Sequence, residues 1–324
     1  MATTPAAHAA PPFDSELEPI LQQLKDTLPS SITPEMIPLI RQAPEPTVAE
    51  LIGDRALTHR EVVVPGPDGA PDITLSAFAR DDHRAGGPGI FHIHGGGMII
   101  GSRFSGVSAM FDWVESLDAV CVSVEYRLAP EHPDPAPVDD CYAGLCWASE
   151  HADELGFDAG RMLVAGASAG GGLAAGVTLR ARDEGGPRLA GSLLIYPMLD
   201  DRNETVSSQQ IAGIGVWDRA SNDTGWDALL GDRRRTDAVS IYAAPARATD
   251  LSGLPPTFID VGTAEVFRDE DVAYASQIWA DGGDCELHVW PGGFHGFDLM
   301  APESDLARRM VAVRSAWVTR VLTR

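Results

Sequence analysis

Cysteine, basic residues and long apolar runs are all scarce in this sequence, and each scarcity removes a class of answer. The four cysteines, Cys121, Cys141, Cys146 and Cys285, stand singly and without metal-site spacing. They read as reduced residues of an intracellular protein, and a disulfide framework is not expected. Residues Met1 to Pro12 have neither the basic start nor the apolar stretch of a secretory signal. No apolar run approaches the length of a membrane span. The expected location is therefore cytoplasmic. Lys and Arg number 24 against 47 Asp and Glu, a formal net charge of −23. Such a surface repels nucleic acid and anionic membranes, and at long range it disfavours acidic substrates. Arg233-Arg234-Arg235 is the one basic cluster, and it reads as a solvated loop. No internal repeat is present. His92 and His94 lie two apart on one strand face, but a third ligand at metal-site spacing is missing, so neither a metal nor a cofactor is expected.

What is present suits one large α/β domain with a small cap. A chain of 324 residues is well above the size at which a core is hard to build. Ser15 to Leu28 has helical spacing through Leu17, Ile20, Leu21 and Leu24, after an Ala/Pro/Thr-rich stretch at 1–12 expected to be disordered. A second short helix is expected after Thr33-Pro34-Glu35, with Thr33 as its cap. Strands around Glu61–Val64 and Ile73–Ala79 flank a Pro-Gly-Pro-Asp-Gly turn. Strand and helix patterns then alternate, including a strand at Val120–Val124 and a helix from about Val138 to His151. That alternation predicts a mainly parallel sheet with helices on both faces, made mixed by the antiparallel start.

Within this alternation, Gly166-Ala167-Ser168-Ala169-Gly170 follows the apolar run Met162–Ala165 and opens a small-residue helix. A serine flanked by glycines at a strand-to-helix turn is the nucleophile elbow of an α/β-hydrolase. The strained turn lifts the hydroxyl clear of the sheet, and side chains at the glycines would crowd it. The helix N-terminus beside it favours a developing oxyanion. Earlier in the chain, the strand Ile90–Ile93 runs into His94-Gly95-Gly96-Gly97. Backbone N–H groups of Gly95, Gly96 and Gly97 can join that of Ala169 around a tetrahedral oxygen, as in the oxyanion hole of lipases and esterases.

The base belongs after a late strand, and Pro291 to Phe297 follows the alternating Cys285–Trp290. His295 in that glycine-rich loop is the candidate; His288, inside the strand, reads as structural. The acid must fall between Ser168 and His295, beyond a strand. Thr257–Val261 is that strand, with Asp260 inside it and Glu265, Asp269, Glu270 and Asp271 following. Glu265, in the turn just past the strand end, can lean towards His295 and is the first choice. Asp269 is the runner-up, since it and its neighbours suit the start of the next helix.

The sequence resembles bacterial members of the hormone-sensitive lipase family of esterases over roughly residues 50 to 320. The resemblance rests on His94–Gly97, on Tyr126-Arg127-Leu128-Ala129-Pro130-Glu131-His132-Pro133, on the elbow, and on Pro291–Phe297. Two departures stand out: Ala167 where the family has Asp or Thr, and Glu265-Val266-Phe267-Arg268-Asp269-Glu270 in place of Asp-Pro-Leu-Arg-Asp-Glu. That register also puts Glu265 on the family's acid. The resemblance implies a cap over the serine, built from the N-terminal helices and a segment near Asp201–Thr236. The division is then 1–55, tail and cap helices, and 56–324, a catalytic α/β-hydrolase domain with a cap insertion at 201–236. Trp217 or its apolar neighbours would line the acyl or alcohol pocket. The expected activity is a serine carboxylesterase, for short- to medium-chain acyl esters because no large lipid-docking patch is evident, and the resemblance implies a homodimer through the last strand, near Cys285–Trp290. An amidase, formamidase or acetyl hydrolase on the same triad is the alternative, because selectivity lives in the pocket. A non-catalytic receptor, as plant gibberellin receptors are, conflicts with the presence of His295. A dinucleotide site at Gly170-Gly171-Gly172 conflicts with its position inside the helix after the serine.

Overall fold

The structure, a computed structural model, describes residues 9–25, 27 and 29–324. Eight strands form one sheet: β1 Leu57–Val64, β2 Ile73–Arg80, β3 Gly87–Ile93, β4 Val120–Glu125, β5 Phe157–Ala167, β6 Gly191–Ile195, β7 Thr257–Gly262 and β8 Cys285–Trp290. Their order is β1-β2-β4-β3-β5-β6-β7-β8. β1 and β2 pair antiparallel, as do β2 and β4, and every later pairing is parallel. This is the mixed, mostly parallel sheet of an α/β-hydrolase.

The central strands read as continuous apolar runs because both their faces are covered. Along β5, Met162 and Val164 enter one core while Leu163 and Ala165 enter the other, the two-residue alternation of a strand. Helices Ala136–Glu150, Ala169–Glu184 and Arg268–Ala280 close the first face through Leu145, Val177 and Ile278. Helices Phe111–Leu117 and Asp305–Leu322 close the second through Val114, Met310 and Trp317.

The N-terminal region is laid against this body. Of the expected disordered stretch 1–12, residues 1–8 lie outside the described residues. From Ala9 onward the chain makes contacts: the Ala9 carbonyl accepts from Gln210 Nε2 at 2.6 Å, and Ala10 packs on the core. The first helix runs from Leu17 to Leu24, shorter than the expected span to Leu28, which is itself outside the described residues. Thr33 does not cap the next turn. Its hydroxyl donates to Glu35 Oε2 at 2.7 Å instead, and a tight turn at Pro34–Met36 leads into Ile37–Ile40.

Between β6 and β7, helices Val206–Gln210 and Arg219–Leu230 occupy the stretch that broke the alternation. Asp218 caps the second, accepting from Ser221 N–H at 2.9 Å, and its other oxygen accepts from the Ser31 hydroxyl at 2.9 Å. The Thr224 hydroxyl donates to the Ile32 carbonyl at 2.8 Å. The insertion and the N-terminal segment are thereby tied to each other. Within the arginine cluster, read from sequence as a solvated loop, Arg233 and Arg235 keep 39% and 46% of their side chains exposed, and Arg234 is the correction. Arg234, with only 6% of its side chain exposed, pairs with Asp223 and Asp227. Arg233 pairs with Asp134 at 2.9 Å. The buried Asp134 carboxylate requires a cation beside it and the buried Arg234 guanidinium requires anions, and these pairs supply them.

Candidate active site

β5 ends at Ala167, and the next residue, Ser168, has φ 59° and ψ −125°. Left-handed backbone at a non-glycine residue is strained, and it persists only where the surroundings hold it. Here Ser168 N–H donates to the Ile195 carbonyl at 2.9 Å, and the Ser168 carbonyl accepts from Met198 N–H at 3.0 Å. The flanking glycines are needed for close approach. A Cβ at Gly166 would stand 2.1 Å from the Gly170 carbonyl oxygen, and one at Gly170 would stand 2.1 Å from that of Ile93. Gly172 similarly meets the Met198 carbonyl, so the glycine run packs a helix on the sheet and is no dinucleotide loop. Gly170→Ala is expected to abolish soluble, folded protein; a thermal melt within a few degrees of the parent would contradict this.

His295 Nε2 lies 3.0 Å from Ser168 Oγ, and its Nδ1 lies 3.0 Å from Glu265 Oε2 and 3.1 Å from Oε1. The chain Ser–His–Glu is thus continuous. Two loops carry the latter pair, and they are laced together. Thr263 N–H donates to the Trp290 carbonyl, Ala264 N–H to the Gly293 carbonyl, and Gly292 N–H to the Thr263 hydroxyl, at 2.8, 3.1 and 2.7 Å. The imidazole is gripped by ring edges, Tyr196 at 4.9 Å and Phe267 at 5.3 Å between centroids. Sequence reading did not single out either ring. Phe267 could have been found, since it sits two residues beyond Glu265.

The other carboxylates are placed elsewhere. Asp269 Oδ2 accepts from Ser207 N–H at 2.7 Å and Oδ1 meets Arg268 Nε at 2.8 Å. Glu270 accepts from the N–H groups of Leu199 and Asp200 at 2.7 and 3.1 Å. Burial pushes the carboxyl groups of Glu270 and Asp271 well above the usual range. Asp260 pairs with Arg314 at 3.0 Å, and burial raises its carboxyl to about 6.

The Gly95–Gly97 loop lies against the serine: a Cβ on Gly95 would be 3.3 Å from Ser168 Cβ. Gly96 and Gly97 have φ of +105° and +62°, conformations that glycine adopts without penalty. The loop continues to Ile99, whose carbonyl accepts from Arg41 Nε at 2.7 Å. Ala169 opens the helix Ala169–Glu184, and N–H groups of a first turn have no intrahelical partner. His92 and His94 hold separate partners: His92 Nδ1 lies 2.9 Å from Ser123 Oγ, and His94 Nδ1 lies 2.7 Å from the Gly95 carbonyl. Burial lowers the two imidazoles to about 3 and about 4, so both are neutral at physiological pH.

A cavity of about 750 Å³ opens on Ser168 and His295. Its walls come from the N-terminal segment (Pro29, Ile32, Ile40), from Trp217 of the insertion, and from Leu299 and Met300 beyond the histidine. Trp217 packs directly on the glycine loop, where a Cβ on Gly97 would meet its ring at 2.4 Å.

A family model described as alpha/beta hydrolase fold matches residues 90–299, which span the glycine loop, the elbow, Glu265 and His295. The chain belongs to this family, among its members akin to hormone-sensitive lipase. A carboxylesterase of Mycobacterium tuberculosis, NlhH, is 35% identical over 311 residues, covering 93% of this chain and 96% of that protein. Among solved structures, a bacterial heroin esterase superposes with a TM-score of 0.87 at 38% identity, covering 95% of this chain and 98% of the other. Esterase LipW from Mycobacterium marinum gives 0.85 at 30% identity, covering 97% and 99%.

Proposed function

We propose that this chain is a serine carboxylesterase acting on short- to medium-chain acyl esters through an acyl-enzyme, with Ser168 as nucleophile, His295 as general base and Glu265 as its orienting acid. The observation that carries the reading is the unbroken contact from Ser168 Oγ through both nitrogens of His295 to Glu265. Carboxylic ester hydrolysis is also what the names of the relatives describe. Ser168 attacks the ester carbonyl while His295 Nε2 takes its proton. The Nδ1–H donates to the Glu265 carboxylate, which holds the tautomer and stabilises the imidazolium that forms. Ala169 N–H and N–H groups of the Gly95–Gly97 loop receive the oxyanion, each such donor stabilising the transition state by about 3–4 kcal/mol. His295 then returns the proton to the departing alcohol, and water attacks the acyl-enzyme by the same route. Ala167, which carries no transferable proton, has no part in these steps.

The N-terminal segment and the Asp201–Thr236 insertion act as the cap, since both wall the cavity and are bonded to each other. A cytoplasmic location and a homodimer through β8 complete the reading. Cys121, Cys141 and Cys285 are buried free thiols, and β8 ends the sheet with Val289 exposed. Sedimentation of the pure protein checks the dimer. Among the described residues, no helix is long and apolar enough to cross a membrane.

A panel of p-nitrophenyl esters from acetate to palmitate, with matching anilides, tests the activity. The highest kcat/KM is expected at or below octanoate, with anilides far slower; a maximum at palmitate or on the anilides would overturn the assignment. Trp217→Ala is expected to shift that maximum to longer chains by opening the cavity beside Gly97, and an unchanged profile would remove Trp217 from the pocket's determinants.

A further inference from the structure

One polar atom in the cavity wall is unused by the steps above. His92 lies near the end of β3, opposite Ser123 of β4, and is only 3% exposed. Its ring nevertheless lines the cavity that holds Ser168. The tautomer follows from proton counting. The single hydroxyl proton of Ser123 goes to the Arg103 carbonyl at 2.6 Å. That carbonyl belongs to a residue fixed by Glu125 and Ser76, at 3.0 and 2.9 Å from its Nη1 and Nε. Ser123 Oγ therefore accepts from His92, so Nδ1 carries the ring proton at the 2.9 Å contact. Nε2 is left with a bare lone pair and has no protein partner among the described residues. Nε2 is turned toward Gly106, another residue of the cavity wall, where an added Cβ would come to 4.0 Å from it.

The polar neighbours in the same wall reinforce this sign. The Tyr196 hydroxyl proton goes to Asp298 Oδ1 at 2.9 Å. The Arg314 N–H groups are directed at Asp298 and Asp260. Tyr196 and Arg314 thus spend their polar hydrogens on Asp298 and Asp260 and offer none to His92. The cross-strand partner of His92 on β5 is Ala165. Ser168 follows it by three residues, just past the end of β5, so the subsite and the nucleophile open on one cavity without touching.

We propose that His92 Nε2 is a specificity-determining acceptor, forming a subsite that binds a hydroxyl group carried by the ester several bonds from its carbonyl. This rests on the reading of Ser168 as an ester-attacking nucleophile. A neutral imidazole suits a hydroxyl donor, and a substrate lacking that donor covers the nitrogen and leaves it unpaired, which is the basis of strong discrimination against it.

The test compares hydroxyalkanoate esters and diol monoesters, the hydroxyl moved stepwise along the chain, each against its deoxy counterpart. Wild-type enzyme is expected to prefer one hydroxyl position by about tenfold or more in kcat/KM. His92→Phe, which keeps a ring of similar size, is expected to reduce that ratio to within about twofold while still turning over the deoxy ester. A ratio near one at every position, or a preference surviving in His92→Phe, overturns the proposal. A second measurement needs no substitution at His92. Nitrogen-15 spectra of Ser168→Ala protein should show an unprotonated His92 Nε2 that shifts with the hydroxy ester and not with its deoxy twin. A protonated Nε2, or equal shifts with both, also overturns it. Loss of p-nitrophenyl acetate hydrolysis in Ser168→Ala checks the underlying reading separately, so either failure is recognisable.

Discussion

Ser168→Ala is expected to lower kcat on p-nitrophenyl butyrate by about five to six orders of magnitude, and His295→Ala by a similar factor. The serine is the group that bonds to the carbonyl carbon, and His295 Nε2, 3.0 Å away, is the base placed to take its proton. Because the two act as a unit, the double variant should be no slower than either single one. What remains in each variant is the binding cavity and the glycine loop, which alone accelerate hydrolysis by about three to four orders of magnitude over water. Circular dichroism and a thermal melt matching the parent would show that the loss is chemical. A Ser168→Ala enzyme within tenfold of wild type would mean that some other group attacks the ester.

Glu265→Ala is expected to cost about three to four orders of magnitude in kcat, with a much smaller change in KM. Its carboxylate is fully buried against the imidazole, bonding Nδ1 through both oxygens while Oε1 also accepts Phe267 N–H at 3.2 Å. Removing it leaves His295 free to adopt the wrong tautomer and leaves the imidazolium without a counter-charge. Asp269→Ala should stay within about tenfold of the parent, since that carboxylate faces Ser207 and Arg268. Parallel kinetics on the two variants decide the matter. Full activity in Glu265→Ala together with collapse in Asp269→Ala would reverse the assignment.

Much of this arrangement was legible in the residues alone, for identifiable reasons. Ser168 between glycines after an apolar strand, and His295 in a glycine loop after a late strand, are local patterns whose geometry follows from backbone sterics. The strand alternation similarly announced the sheet, because strands buried on both faces must be apolar throughout. Glu265 was reachable by counting past a strand end. The burial of Arg234 was missed because its partners Asp223 and Asp227 lie on the preceding helix, and a charge run in sequence carries no sign of them. Thr33 was misread because Glu35, two residues on, competes for its hydroxyl. His92 could only be interpreted once Ser123 and the Arg103 carbonyl were seen beside it. A tautomer is a property of neighbours, and neighbours across a sheet are set by strand order.

Covalent trapping tests the central claim most directly. The protein would be incubated with a p-nitrophenyl alkylphosphonate, whose tetrahedral phosphorus bonds to an activated serine oxygen, then digested and sequenced by mass spectrometry. The account predicts one phosphonyl group per chain, on Ser168, formed in step with release of p-nitrophenol and loss of esterase activity. Label on a different residue, or an unlabelled Ser168 in a protein that has lost its activity, would contradict it.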